Sequence, residues 1–184
     1  MKIAEGTFAG LHPTEEALFR EVLKGMKGIG VEIGCLDGYS SAVILDASEL
    51  HLTSIDPFIP DSMEKTLIGS KEKYIANVAP FGSRAKLYEG YSHDACYDGV
   101  PPPLDFLFID GDHNYEAVLQ DYHDWTMLLK DGGILAIHDA RMSREGGANY
   151  HPGPSQVANE QVFDRPDLWD IVGEAHSLVI ARKK

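Results

Sequence analysis

Four segments of the chain carry residues whose types and spacing could do chemistry. The first, Val31-Glu32-Ile33-Gly34-Cys35-Leu36-Asp37-Gly38-Tyr39-Ser40, closes an apolar run with two glycines and then opens a helix signal. Glycine lets a backbone approach a ligand closely, and a helix N-terminus presents free N–H groups to it. A tight strand-to-helix turn accounts for the same pattern, because the spacing departs from G-x-G-x-x-G. The second is Asp56, about twenty residues further on, where an acid ending a strand can accept hydrogen bonds from ribose hydroxyls. An Asp before Pro57 is also an ordinary turn former. The third, Asp110-Gly111-Asp112-His113-Asn114-Tyr115, follows the apolar run Phe106-Leu107-Phe108-Ile109; the fourth is His138-Asp139 after Ile134-Leu135-Ala136-Ile137. Two carboxylates brought together repel unless a cation or proton lies between them. Asp110 and Asp139 are therefore candidate ligands of a divalent cation, with His138 or water completing the shell. His113 is the candidate general base, since an unperturbed imidazole titrates near neutral pH. The alternatives are a helix-start role for His113, a helix cap for Asp110 and a satisfied core position for His138.

Helical and strand signals alternate along the chain, the pattern of a mainly parallel sheet covered on both faces. The patterning predicts helices over 13–26, 39–48, 62–80 (weakened by Gly69), 92–97, 114–129 and 156–164. It predicts strands over 29–33, 51–56, 86–89, 104–110, 134–138, 168–174 and 176–182. Segment 104–110 is nearly all apolar at its centre and reads as a strand buried on both faces. Val100-Pro101-Pro102-Pro103 reads as a stiff connector and Asp131-Gly132-Gly133 as a turn. Residues 141–155, rich in Gly, Asn, His and Pro, read as a mobile loop over the site, with His151 a solvated residue in it. Tyr115, Tyr122 and Trp125 have near-helical spacing and read as packing. In an open α/β sheet ligands bind outside the carboxyl ends of the strands, so Gly34, Asp56, Asp110 and Asp139 should line one crevice.

The chain of 184 residues fits one domain, 1–184, and its 29 Asp+Glu against 16 Lys+Arg give a formal net charge of −13. That balance argues against a nucleic-acid reader and against an anionic membrane surface, because phosphate contacts are made by basic patches. Cys35 and Cys96 are far apart and form no metal-ligand pattern, which suits reduced thiols, Cys35 among the residues that could line the site. With no apolar run near the length of a membrane helix and no leader-like start, a cytoplasmic location is expected. The expected partner is a small molecule, and self-association into a homo-oligomer is left open.

Taken together, the chain resembles a class I S-adenosylmethionine (SAM)-dependent methyltransferase. It is similar to a small family whose signature runs I-D-G-D-H-x-Y, a helix, then G-G-x-L and H-D, here Ile109–Tyr115 and Gly132–Asp139. The resemblance extends from about residue 27 to 182. It implies an α/β, Rossmann-like doubly wound, mostly parallel seven-stranded sheet with an antiparallel last strand. It also implies SAM as cofactor, with Glu32, Gly34 and Gly38 around its methionine part, Asp56 on its ribose and Ser40 among the cofactor-binding candidates. Glu89-Gly90-Tyr91-Ser92-His93 resembles the segment approaching the adenine, Ser92 and His93 being the binding candidates there, and Asp110 faces both cofactor and acceptor. Related catechol, caffeoyl-CoA and macrolide-sugar O-methyltransferases hold Mg²⁺ through carboxylates matching Asp110 and Asp139, and the macrolide-sugar enzymes carry a His matching His113. The chain departs from them at Ala140, where catechol-type enzymes have Asn, and at His138, where sugar enzymes can have Glu. Its ligand set is thus poorer in oxygen than a hard ion prefers. The activity implied is O-methylation of a small hydroxylated acceptor with divalent-metal assistance. The alternatives are a metal-independent methyltransferase on another nucleophile and a non-catalytic SAM- or nucleotide-binding protein.

Overall fold

A computed structural model describes residues 1–62, 65–98, 102–141 and 151–184. The described chain alternates strands and helices: α1 (Pro13–Val22), β1 (Lys27–Ile33), α2 (Tyr39–Ala47), β2 (Glu49–Asp56), α3 (Lys71–Val78) and β3 (Ala85–Glu89), then α4 (Ser92–Asp98), β4 (Leu104–Ile109), α5 (Tyr115–Thr126), β5 (Leu129–Ile137), α6 (Pro152–Ala158), β6 (Trp169–Ala175) and β7 (Leu178–Lys183). The strands form one sheet in the order β3-β2-β1-β4-β5-β7-β6. β1 pairs in parallel with β2 and β4, as do β2 with β3 and β4 with β5, whereas β7 runs antiparallel to both β5 and β6. The seven-stranded sheet with an antiparallel last strand is as expected, and β4 lies at its centre.

Alternation along β4 explains the layering. Phe106 and Phe108 point to one face, where they meet Phe19 of α1, Ile44 of α2 and Tyr74 of α3. Leu107 and Ile109 point to the other, against Val118, Tyr122 and Trp125 of α5 and Val157 of α6. A strand buried on both faces must be apolar at successive positions, which is why this run was legible. Tyr122 and Trp125 are core residues, as expected.

Three elements differ from the sequence reading. Among the described residues, the helix expected over 62–80 is confined to 71–78 and continues as a 3₁₀ turn to Arg84, residues 63 and 64 lying outside them. Residues before it bond elsewhere: Ser62 donates from its N–H and its hydroxyl to Asp112, and the Ser70 backbone N–H donates to Asp37. A Cβ at Gly69 would stand 2.4 Å from the Leu36 backbone, so the chain at Gly69 lies directly against the β1–α2 turn. The strand expected at 134–138 begins at Leu129, because Asp131-Gly132-Gly133 bulges between the pairs Leu104–Leu129 and Phe106–Ile134. Residues 151–155 are the cap and first turns of α6 rather than loop, while 142–150, most of the expected loop over the site, lie outside the described residues. Val100 and Pro101 of the expected connector also lie outside them.

Candidate active site

The carboxyl ends of β1, β2, β4 and β5 open onto a cavity of about 700 Å³. Its wall includes Gly34, Leu36, Asp56, Ser92, His93, Asp110, His113, Asp121, His138, Asp139 and His151. This is a size suited to one cofactor-sized ligand and a small second molecule. Of the candidate residues, Gly34, Asp56, Ser92, His93, Asp110, His113, His138 and Asp139 are brought together here.

The first turn is held from within. Gly34 has φ +81°, and a Cβ there would stand 2.0 Å from the Asp110 carbonyl oxygen. Glycine is therefore required by the approach of the β1–α2 turn to the chain leaving β4, in addition to its place on the cavity wall. Asp56 accepts from the N–H groups of Cys35 and Leu36 at 2.9 Å each, and from that of Phe58 at 2.6 Å. Leu36 and Phe58 both have positive φ, so the Asp56 carboxylate fixes a turn that non-glycine residues adopt at some cost. A carboxylate has about four acceptor sites, which leaves Asp56 room for one hydroxyl donor. Gly38 sits in the left-handed region at the N-cap of α2 and packs against Tyr74, away from the cavity wall. Cys35 is buried off the wall in the core, where burial pushes its thiol well up.

Glu32 and Ser40 also lie behind the wall. The Glu32 carboxylate is fully buried and accepts from the hydroxyls of Ser40, Ser41 and Ser54. Burial raises its pKa to about 7, the three hydroxyls opposing that shift. The pair ties β1, α2 and β2 together beneath the turn.

The opposite wall is a network of histidines and carboxylates. His113 donates from Nδ1 to Asp61 at 2.9 Å, and its Nε2 lies 3.1 Å from Asp139 Oδ2. His138 Nδ1 lies 3.0 Å from Asp110 and 3.4 Å from Asp139, while its Nε2 faces Glu15 at 3.1 Å. Burial alone would lower both histidines, but the facing carboxylates prevail: His113 is pushed up to about 9 and His138 well above its ordinary value. By the same pairing, and against the effect of burial, Asp139 is held well below the usual carboxylate range and Glu15 falls to about 2. The expectation that His113 titrates near neutrality is thus corrected, because Asp139, Asp110 and Asp61 keep its proton on. Two imidazoles thus stand against the carboxylates of Asp110 and Asp139, between which a cation was foreseen.

Sequence reasoning missed four contributors. Glu15 was legible only as a first-turn acid; it closes a capping box with His12 and also bonds Ser177 and His138. Asp61 sits in the stretch read as leading into a helix and instead clamps His113. Asp121 of α5 is buried on the cavity wall, accepts from Ser92 and is raised to about 7 by burial. His151, read as solvated, is 8% exposed and stacks on His113 with ring centroids 4.0 Å apart. None of these pairings leaves a local sequence signal, apart from the His12-x-x-Glu15 spacing.

A family model described as a methyltransferase domain matches residues 31–140, more than half of the chain. The chain belongs to that methyltransferase-domain family. The matched span carries the glycine turn, Asp56, Asp110, His113 and Asp139, so most of the cavity wall is family territory. Among curated proteins, an uncharacterized protein of Acanthamoeba polyphaga mimivirus, R132, is 30% identical over 114 residues, covering 59% of this chain and 50% of that one. The chain thus spans about half the length of the curated relative it matches. Among solved structures, the O-methyltransferase from Bacillus cereus in complex with S-adenosylhomocysteine (SAH) superposes with a TM-score of 0.68 at 17% identity, covering 97% and 84% of the two chains. TomG of Streptomyces achromogenes, an O-methyltransferase solved with SAM, gives 0.64 at 13% identity, with 96% and 82% covered. An rRNA methylase from Streptococcus thermophilus gives 0.62 at 15% identity, with 95% and 98% covered. These likenesses establish that the domain has the fold of SAM-dependent methyltransferases. No helix among the described residues is long and apolar enough to cross a membrane.

Proposed function

We propose that the protein is a SAM-dependent methyltransferase acting on the hydroxyl of a small acceptor. One observation carries the reading: the glycine turn, Asp56 and the Asp110–His113–Asp139 network share one cavity at the carboxyl edge of the sheet. Solved O-methyltransferases of this fold hold SAM or SAH. Bound SAM would supply a methyl group activated by its sulfonium. The chain's own residues have three tasks. Asp56 has an acceptor site left for a ribose hydroxyl, and Ser92 and His93 wall the cavity beside it. The Asp110–Asp139 wall orients the acceptor oxygen, converting an encounter into an aligned displacement. His113 takes the acceptor proton from its neutral form, which its carboxylate partners confine to high pH, so turnover through this base rises up to about pH 9.

Metal assistance belongs to the same proposal. Asp110, His138 and Asp139 offer one ligand atom each within 4.8 Å of one another, two oxygens and a nitrogen, a set that fits a divalent cation once His138 releases the Nδ1 proton that faces Asp110, its Nε2 remaining on Glu15. A cation there would lower the pKa of the acceptor hydroxyl. A second reading, metal-independent transfer, is favoured by the two imidazoles that face the aspartates. The acidic chain, −13 in net charge, supports a small molecule over nucleic acid as acceptor. Methyl transfer from SAM to a panel of catechols and sugars, with Mg²⁺ or with EDTA and across pH, tests the whole. Transfer that rises toward pH 9 supports it. Insensitivity to EDTA selects the metal-free reading, and transfer only to nitrogen nucleophiles refutes the O-methylation claim.

A further inference from the structure

A second cluster shares Asp139 and draws on other residues. His113 Nε2 lies 3.1 Å from Asp139 Oδ2, and His151 Nε2 lies 3.8 Å from the same oxygen. One ligand atom from each of the three lies within 4.8 Å of the others. Bonds of roughly 2.0–2.2 Å to one ion place neighbouring donors about 3.0–3.6 Å apart, so the donors need only a small inward movement to share an ion.

The surroundings hold them in that arrangement. His113 donates from Nδ1 to Asp61, which fixes the tautomer that leaves Nε2 for an ion, as metal-binding histidines are commonly held. His151 stands at the N-terminal boundary of α6, and α6 lies directly on the chain after β4: a Cβ at Gly153 would stand 2.3 Å from the His113 carbonyl oxygen. That approach stacks the two rings at 4.0 Å with 27° between their planes. Asp139 is presented from a left-handed backbone position, φ +51°, a conformation that Asp tolerates better than most residues. The side chains of His113, Asp139 and His151 are 12%, 14% and 8% exposed, and all three line the cavity.

We propose that His113, Asp139 and His151 bind a divalent first-row transition ion of the zinc, cobalt or manganese type in preference to Mg²⁺. Two imidazole nitrogens and one carboxylate suit such borderline ions, whereas Mg²⁺ calls for oxygen donors. Three protein ligands leave a position open on the cavity side, the arrangement of a catalytic rather than a structural site. The inference rests on the reading of this cavity as an active site and refines it: His113, bound to the ion through Nε2, is then a ligand and no longer the general base, and His113 and His151 take the place of Asp110 and His138 beside Asp139.

The test uses the full chain, stripped of metal with chelator and titrated with Co²⁺, whose visible ligand-field absorption reports nitrogen donors directly. One Co²⁺ should bind per chain, Zn²⁺ should displace it and an excess of Mg²⁺ should not. His151→Ala should weaken Co²⁺ binding by more than tenfold. Asp61→Asn should weaken it by roughly 10–100-fold through the lost hold on His113. Asp110→Asn should keep the wild-type affinity. If His151→Ala does not fold, His151→Gln replaces it, thermal melting serving as the check. Absence of Co²⁺ binding, displacement by Mg²⁺, or binding that survives loss of the His151 imidazole and fails in Asp110→Asn overturns the proposal. Calorimetry with SAH on the same metal-free protein separates the two claims: SAH binding without Co²⁺ binding removes only this inference, and Co²⁺ binding without SAH binding removes only the cofactor reading.

Discussion

Replacing Glu32 by Gln should change how stability depends on pH while leaving the cavity wall intact. Glu32 is fully buried, its pKa about 7 in place of 4.5. A raised carboxyl binds more protons in the folded than in the unfolded chain between those two values. Its stabilising effect is therefore complete below about pH 4.5 and is lost as pH rises through 7. At about 1.4 kcal/mol per pKa unit, the 2.5-unit difference amounts to an order of 3 kcal/mol by pH 8. Glutamine keeps one acceptor oxygen for the serine hydroxyls, offers its amide N–H to the oxygen of a hydroxyl that turns round, and does not titrate. The two proteins should be similarly stable near pH 5, and Glu32→Gln should become the more stable as pH rises to 8. Urea denaturation of both at several pH values measures this, and subtracting one curve from the other cancels the titration of His113 and His138. A difference that does not vary with pH refutes the argument. The same variant probes the family resemblance, which sets Glu32 beside the methionine part of SAM. From its place behind the wall, Gln at 32 should leave SAH affinity unchanged, and a large loss would mean that the carboxylate reaches the cofactor.

Three further outcomes follow from the geometry. In metal-free protein, the His113 ring should titrate by NMR near pH 9, its stabilising pairing complete below about 6.5 and lost as pH rises through 9; a midpoint near 6.5 would show that Asp61 and Asp139 do not hold it. Gly34→Ala should cost roughly 2–6 kcal/mol in urea unfolding, from about 1–3 for the positive φ and about 1–3 for overpacking against the Asp110 carbonyl; a near-neutral change would mean that the turn relaxes freely. Asp121→Ala should weaken SAH binding by roughly fivefold, the worth of about 1 kcal/mol for one hydrogen bond; unchanged affinity in calorimetry removes Asp121 from the ligand's contacts.

The strands were legible because burial on two faces writes itself into consecutive residues, as Phe106-Leu107-Phe108-Ile109 shows. The site was legible in part, because Asp110 and Asp139 directly follow such strands and sheet topology places strand ends together. The remainder depends on distant partners. Glu15 and His138 are 123 positions apart, and Asp61 and His113 are 52 apart, with no periodicity to link them. The helix expected over 62–80 was mistaken for a similar reason: local propensity favours it, but Ser62 and Ser70 bond Asp112 and Asp37, which only the folded chain brings near. His113 was assigned an ordinary imidazole pKa because Asp61 was out of view and the Asp110 and Asp139 carboxylates were read as cation ligands, and His151 was called solvated because Gly153, which seats α6 on the chain after β4, has no signature of its own.

The central claim is that this cavity takes SAM, and calorimetric titration of purified protein with SAH tests it most directly. The account predicts one SAH bound per chain, with binding lost in Gly34→Val, whose side chain would disrupt the turn that Asp56 fixes, and retained in Glu32→Gln. No detectable binding of SAH or SAM by folded wild-type protein would contradict it.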